Sequence, residues 1–129
     1  MDKKSILAIE KIIIYITELK IMTKGRDYNY FYDGFEMPVI CHLIDRIDKN
    51  INKINPKIKN KYNNIKWNII DSKKEEDKGL KTLKIGKVLD LAFNMSENNL
   101  LEKLNKILEE ELPIYYLNYC QDQHKKQIK

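Results

Sequence analysis

Large aliphatic side chains recur along this chain at alternating steps of three and four, and no segment alternates at steps of two for long enough to argue a strand. Steps of three and four return to one face of an α-helix, so each run can bury its stripe only against another helix. Ile6, Ile9, Ile13, Ile16 and Leu19 predict a first helix running to about Lys24, with Ser5 or Asp2 able to cap its start. Ile40, Leu43, Ile47, Ile51 and Ile54 predict a second, with Pro38 suited to its first turn and Pro56 as its stop. Leu80, Leu83, Val88, Leu91 and Ala92 mark a third, weakened in its middle by Gly86. A broad apolar face from Leu100 to Tyr115 marks the last, with Ser96 as its N-cap and Pro113 expected to kink or split it. The expected fold is all-α, an antiparallel bundle of four to five helices.

The segments between these runs are equally readable. Gly25 can take a left-handed conformation at a helix end, after which Arg26 to Gly34 forms an aromatic connector closed by the Asp33-Gly34 turn signal. Rings as close as Tyr28, Tyr30, Phe31 and Tyr32 pack over helix ends; they can also stack on bases, but no arginine cluster is interleaved with them. A short helical turn from Ile58 to Tyr62 leads into an Asn63-Asn64 turn, after which Trp67, Ile69 and Ile70 fill the core. The stretch Ser72 to Gly79 is charged enough to be a solvated connector or a frayed helix end.

With 129 residues, 43% of them hydrophobic and 33% charged, the chain makes one domain that buries about two-thirds of its unfolded surface. Residues 1–120 are assigned to the bundle and 121–129 to a polar tail, in which His124 is a tail residue rather than a ligand. The longest apolar run, Ile12 to Ile16, falls far short of the roughly 20 residues of a membrane span. Glu10 and Lys11 interrupt any secretory h-region, so a cytoplasmic protein is expected.

The net charge of +5 is almost all lysine, Arg26 and Arg46 being the only arginines. Arginine is the better fork for phosphates and base edges, so the charge implies at most weak attraction to RNA. Cys41 and Cys120 lack C-x-x-C spacing and read as reduced core or boundary residues, with neither a zinc site nor a disulfide framework. The glycines at 25, 34, 79 and 86 form no phosphate-binding loop, and two histidines far apart define no metal site; no cofactor is expected. Glu109-Glu110-Glu111 reads as a solvated helix face.

An isoleucine-rich first helix containing Tyr15, a second helix entered through an aromatic loop, and Lys61-Tyr62-Asn63-Asn64-Ile65-Lys66-Trp67-Asn68-Ile69-Ile70 resemble the HepT-like branch of the HEPN superfamily. That branch has a Lys-Tyr-Pro-x-Ile-Pro-Trp-x-x-Ile segment after its second helix and an acidic stretch with Leu-Pro in its last, as Glu109 to Pro113 has here. The resemblance covers Ile6 to Tyr119. It implies a helical bundle that forms a homodimer, with an Arg-x4-His-x-Tyr motif from each subunit meeting at the interface to cleave RNA. It also implies a toxin–antitoxin setting, in which a small nucleotidyltransferase antitoxin modifies the motif tyrosine.

The catalytic pattern is missing from this chain. RNA cleavage of this kind requires a group that moves the 2′-hydroxyl proton and a fixed cation for the phosphate, supplied in the family by histidine and arginine. From Asp71 to Gln123 the chain has neither. Counting forward from Trp67 sets Lys74 and Gly79 at the arginine and histidine positions; counting back from Leu112-Pro113 sets Leu89, Asn94 and Ser96 at arginine, histidine and tyrosine. The two counts differ because Ser72 to Lys84 looks inserted, and Cys41-His42 stand where relatives have Arg-Asn.

A substitute centre is conceivable at His42 and Arg46, four apart on one helix with Asp45 and Asp48 beside them. The plainer reading of that cluster is an exposed helix face in which Arg46 neighbours Asp45 or Asn50. Two functions follow: a catalytically degenerate bundle that binds itself, a nucleotidyltransferase-type partner or RNA, and, as the alternative, an active ribonuclease toxin centred on His42 and Arg46.

Overall fold

The computed structural model describes residues 2–32, 35–67, 85–97 and 99–128. Ile69, Ile70, Leu80, Leu83, the Asp33-Gly34 turn and the charged stretch 72–79 lie outside them. The described residues form six helices and no strand: α1 (Lys3–Thr23), α2 (Tyr28–Tyr32), α3 (Met37–Ile51), α4 (Pro56–Lys61), α5 (Ile85–Glu97) and α6 (Leu100–Ile128). The fold is an all-α bundle.

Asp2, in extended backbone, is the N-cap of α1: its carboxylate accepts hydrogen bonds from the Ser5 backbone N–H at 3.3 Å and the Ser5 hydroxyl at 2.6 Å. Ser5 therefore lies inside the helix, and its buried Oγ also accepts from the backbone N–H of Asn55 at 2.9 Å. That bond joins the start of α1 to the segment just beyond the end of α3, so the two helices run antiparallel. Gly25 follows the α1 C-cap with φ +71°, a left-handed conformation that glycine adopts without Cβ strain.

Several boundaries differ from the sequence expectation. α3 ends at Ile51, and Pro56, rather than stopping it, opens α4 behind Asn55, whose side chain accepts from the Lys57 N–H. Gly86 is the second residue of the described α5, and the earlier part of the expected helix, residues 80–84, lies outside the described residues; Ser96 belongs to α5, and the carbonyl of Asn99 accepts a hydrogen bond from Lys103 N–H at the start of α6. Pro113 does not split α6, which is assigned without a break from Leu100 to Ile128. A proline there removes one donor while the turns on either side keep theirs. Residues 121–128, expected as a loose tail, continue that helical backbone.

α1 is the central element and packs against α3, α5 and α6. Ile9, Ile12, Ile16 and Leu19 are fully enclosed with Ile40, Ile44 and Ile47 of α3, Leu89 and Met95 of α5, and Leu104 and Ile107 of α6. Each such side chain contributes about 1.5–3 kcal/mol of burial. The whole second stripe, Ile40 to Ile54, is in the core as its spacing predicts, whereas Ile13 is only partly buried and Ile12 takes the inner place. No described helix is long and apolar enough to cross a membrane.

Candidate functional site

His42 and Arg46 stand one turn apart on the outer face of α3, both exposed. Neither side chain has a hydrogen bond or ion pair to another described residue. Asp45 pairs with Lys49 at 2.9 Å rather than with Arg46, Asp48 is buried, and Asn50 donates its side-chain N–H to the backbone carbonyl of Arg46 at 2.8 Å. His42 and Arg46 thus lie on an exposed helix face, and among the described residues no group fixes the imidazole or aims the guanidinium. Among the described residues no group of three His, Cys, Asp or Glu side chains is placed to hold a metal ion. Cys41 is a free, half-buried thiol whose pKa burial raises, and which its own backbone hydrogen bond lowers only in part.

The densest polar cluster lies elsewhere, where the segment after α4 meets α6. Lys61 Nζ is 2.6 Å from Glu111 Oε1, and the Tyr62 hydroxyl donates to Glu111 Oε1 at 2.7 Å and to Glu110 Oε2 at 3.0 Å. The Trp67 indole N–H donates to the carbonyls of Lys59 and Tyr62 at 3.1 and 3.2 Å, folding the loop back on itself, and Lys103 reaches the Asn64 carbonyl at 3.4 Å. Glu111 is only 3% exposed, so the acidic run is not a uniformly solvated face: Glu109 and Glu110 are outside and Glu111 is inside.

The protonation states of this cluster follow from its geometry. Burial raises the Tyr62 phenol, and the neighbouring Glu111 and Glu110 carboxylates raise it further, far above its ordinary value. For Glu111, burial pushes the carboxyl up, but the hydrogen bonds from Lys61 and Tyr62 outweigh it and hold the group below the usual range. At neutral pH the pair is a fixed carboxylate and a fixed phenol. Neither is poised to exchange a proton, so the cluster is a clasp fastening the Lys61 to Trp67 loop to α6 rather than an acid–base centre.

The aromatic connector is also occupied. Tyr28 stacks on Phe93 of α5 with ring centroids 4.8 Å apart and donates its hydroxyl to Asp90, while buried Phe31 meets Phe93 edge-on at 5.9 Å. Arg26 lies 4.3 Å from the centre of the Tyr30 ring and is committed to Glu36 at 2.8 Å. The Tyr30 and Tyr28 hydroxyls donate to Glu36 and Asp90, and Asp27 accepts from the Tyr30 backbone N–H, so carboxylates that repel phosphate stand beside the rings on which a base would stack.

Of the positions at which the two motif counts set the family's residues, Lys74 and Gly79 lie outside the described residues, Leu89 is fully buried in the core, and Asn94 is exposed on α5. Side chains of Ser96, Cys120 and His124 are likewise outside the description.

Sequence spacing also sets a second apolar row on α1, outside the stripe that forms its buried face. Leu7, Ile14 and Ile21 are 44, 54 and 69% exposed and lie at steps of seven on the side opposite the core. Beside Leu7 an open groove of about 360 Å³ is lined by Lys3, Ile6 and Glu10 of α1 and by Tyr115 and Tyr116 of α6. Compared with family models, curated proteins and solved structures, the chain matches none.

Proposed function

We propose that this chain is a HepT-like bundle of the HEPN kind that keeps the scaffold, lacks the ribonuclease chemistry and acts by binding. In a toxin–antitoxin-type system its partners are a second copy of itself and a nucleotidyltransferase-type antitoxin, or RNA. The observation that carries this reading is the absence of arginine and histidine from Asp71 to Gln123, the interval in which the resemblance requires both. Support also comes from the clasp: the two segments that carry the resemblance, Lys61 to Trp67 and Glu109 to Pro113, pack on each other through Tyr62 and Glu111. A lost arginine and histidine remove the mechanism itself, since no other described group pairs a proton acceptor near neutral pH with a fixed cation.

The alternative, a ribonuclease centred on His42 and Arg46, is tested by RNA cleavage with purified wild type and His42→Ala. No cleavage above background is expected from either protein. Cleavage by the wild type that disappears in His42→Ala would overturn the binding reading. Co-purification with the product of the neighbouring gene tests the partner directly, and recovery of the chain alone would count against it.

A further inference from the structure

We infer that the face formed by α4 and the loop after it binds the phosphate backbone of duplex DNA without reading its sequence. The net charge of the chain lies entirely there. Before Asn52 the chain has eight lysines and arginines against eight acids, and after Trp67 it has eleven against eleven. Between them, Asn52 to Trp67 holds five lysines and no acid, so the whole net charge of +5 belongs to this one segment. A chain that is weakly basic on average is therefore balanced everywhere except on one concentrated positive stretch.

Folding gathers that stretch further. Ile54, Ile58 and Ile65 are buried, which leaves Lys53, Lys57 and Lys66 exposed and Lys59 half-buried. The Trp67 indole, bonded to the Lys59 and Tyr62 carbonyls, folds the loop back toward α4, and Lys103 joins from α6 by reaching the Asn64 carbonyl. Lys61 is engaged by buried Glu111, whereas Lys53, Lys57, Lys59 and Lys66 have no ion pair among the described residues. Two carboxylates border the face: Glu110 accepts from the Tyr62 hydroxyl, and Asp2 accepts from Ser5, whose Oγ meets the Asn55 N–H.

The chemistry of the face selects its ligand. Unstacked bases need open aromatic rings, but the Tyr62 hydroxyl is tied to two carboxylates and Trp67 is half-buried with its N–H bonded. Base edges are best read by a fork such as arginine, and the segment has none. Duplex RNA is told from DNA by 2′-hydroxyl contacts spread over about 16 base pairs, more than a six-residue helix and one loop can span. An anionic membrane surface would call for exposed apolar side chains, and the isoleucines of the segment are buried. What remains is a set of ammonium groups on flexible stems, which neutralise phosphates and release their counterions. Backbone contact with duplex DNA asks for nothing more. This contact goes beyond the partners proposed above and does not rest on them.

Fluorescence anisotropy with a DNA duplex of about 20 base pairs, at about 50 mM salt, is expected to give a micromolar Kd. The logarithm of affinity should fall against that of salt with a slope of about −4, as four to five neutralised phosphates require. The triple variant Lys53→Gln, Lys57→Gln, Lys66→Gln should weaken binding at least about thirtyfold and flatten the slope by about three. Lys11→Gln, Lys20→Gln, Lys24→Gln removes the same charge from exposed positions on α1 and should change affinity by less than about threefold. Circular dichroism checks that both variants keep their helices.

No binding up to about 100 µM at that salt, an equal loss in the two triple variants, or an RNA duplex or single strand held more than about tenfold more tightly would each overturn the inference. So would polyglutamate that displaces the probe as well as unlabelled duplex of equal charge does, because the face would then belong to an acidic protein. RNA cleavage decides only the function proposed above, and neither result bears on the other.

Discussion

Glu111 illustrates how one residue can be misread in a sequence and still be prefigured there. Three consecutive glutamates look like a solvated face, yet Leu100, Leu104, Ile107 and Glu111 follow one another at steps of four, three and four, so the third glutamate continues the buried stripe of α6. What makes that position tolerable is Lys61 and Tyr62, 50 and 49 residues earlier. Glu111→Gln is expected to destabilise the protein by about 1–3 kcal/mol in chemical denaturation because it removes the charge that Lys61 and Tyr62 bond, and Tyr62→Phe by a similar amount because it leaves the buried Glu111 carboxylate short of a hydrogen-bond donor. The pH dependence has a definite sign. Glu111 and, through its hydrogen bonds with Ser5, Asp2 are held below their ordinary values of 4.5 and 3.8. Their stabilisation is therefore complete above about pH 5 and is lost as the pH falls through the depressed folded values. A melting temperature that declines below pH 5 in the wild type, and less steeply in Glu111→Gln, is the measurement. By contrast, His42→Ala should change stability by less than about 0.5 kcal/mol, since the exposed imidazole holds nothing in place.

At the scale of elements, α1 carries most of the architecture, and its two apolar faces have different fates. The inner face is legible because its steps of three and four match the helix period and because its neighbours on α3 show the same spacing. The outer row has the longer step of seven, interrupted by Glu10, Lys11 and Glu18, and reads as surface until the packing shows three helices on the far side. The attachment of α1 to the rest depends on Ser5, whose buried hydroxyl donates to Asp2 and accepts from Asn55. Ser5→Ala should cost about 1–3 kcal/mol by leaving the Asn55 N–H without that acceptor, and should do so more than Asp2→Ala, which removes the cap alone at about 0.5–2 kcal/mol. In α6, Pro113, expected to kink or split the helix, does not split it. Pro113→Ala restores a donor for the Glu109 carbonyl and is expected to raise the melting temperature by several degrees, as read by scanning calorimetry.

For the molecule as a whole, a bundle of this shape supports many functions, and fold alone selects none. His42 and Arg46 lie on an exposed face without an orienting partner among the described residues, and the well-organised polar cluster at Tyr62 and Glu111 is locked in protonation states useless for proton transfer at neutral pH. The described residues leave apolar side chains exposed at Leu7, Ile14 and Ile21, with Tyr116 also exposed on α6. A homodimer of the proposed kind should dissociate under dilution without unfolding, as sedimentation read beside circular dichroism would show. Coincident loss of helicity and dimer on dilution would instead mean that the bundle cannot stand alone.

The sequence by itself determined the helical class, the inner stripes of α1 and α3, the turn at Gly25 and the missing arginine and histidine, because helix periodicity, turn chemistry and residue identity are local properties. Tertiary structure decided which acidic residue is buried, which aromatic rings are already stacked, where α3 and α4 divide, and which apolar residues stay uncovered. Those outcomes depend on neighbours brought from about 50 or more positions away, as Tyr62 is to Glu111 and Tyr28 to Asp90. A residue's burial is set by what packs on it, and only the folded chain says what that is.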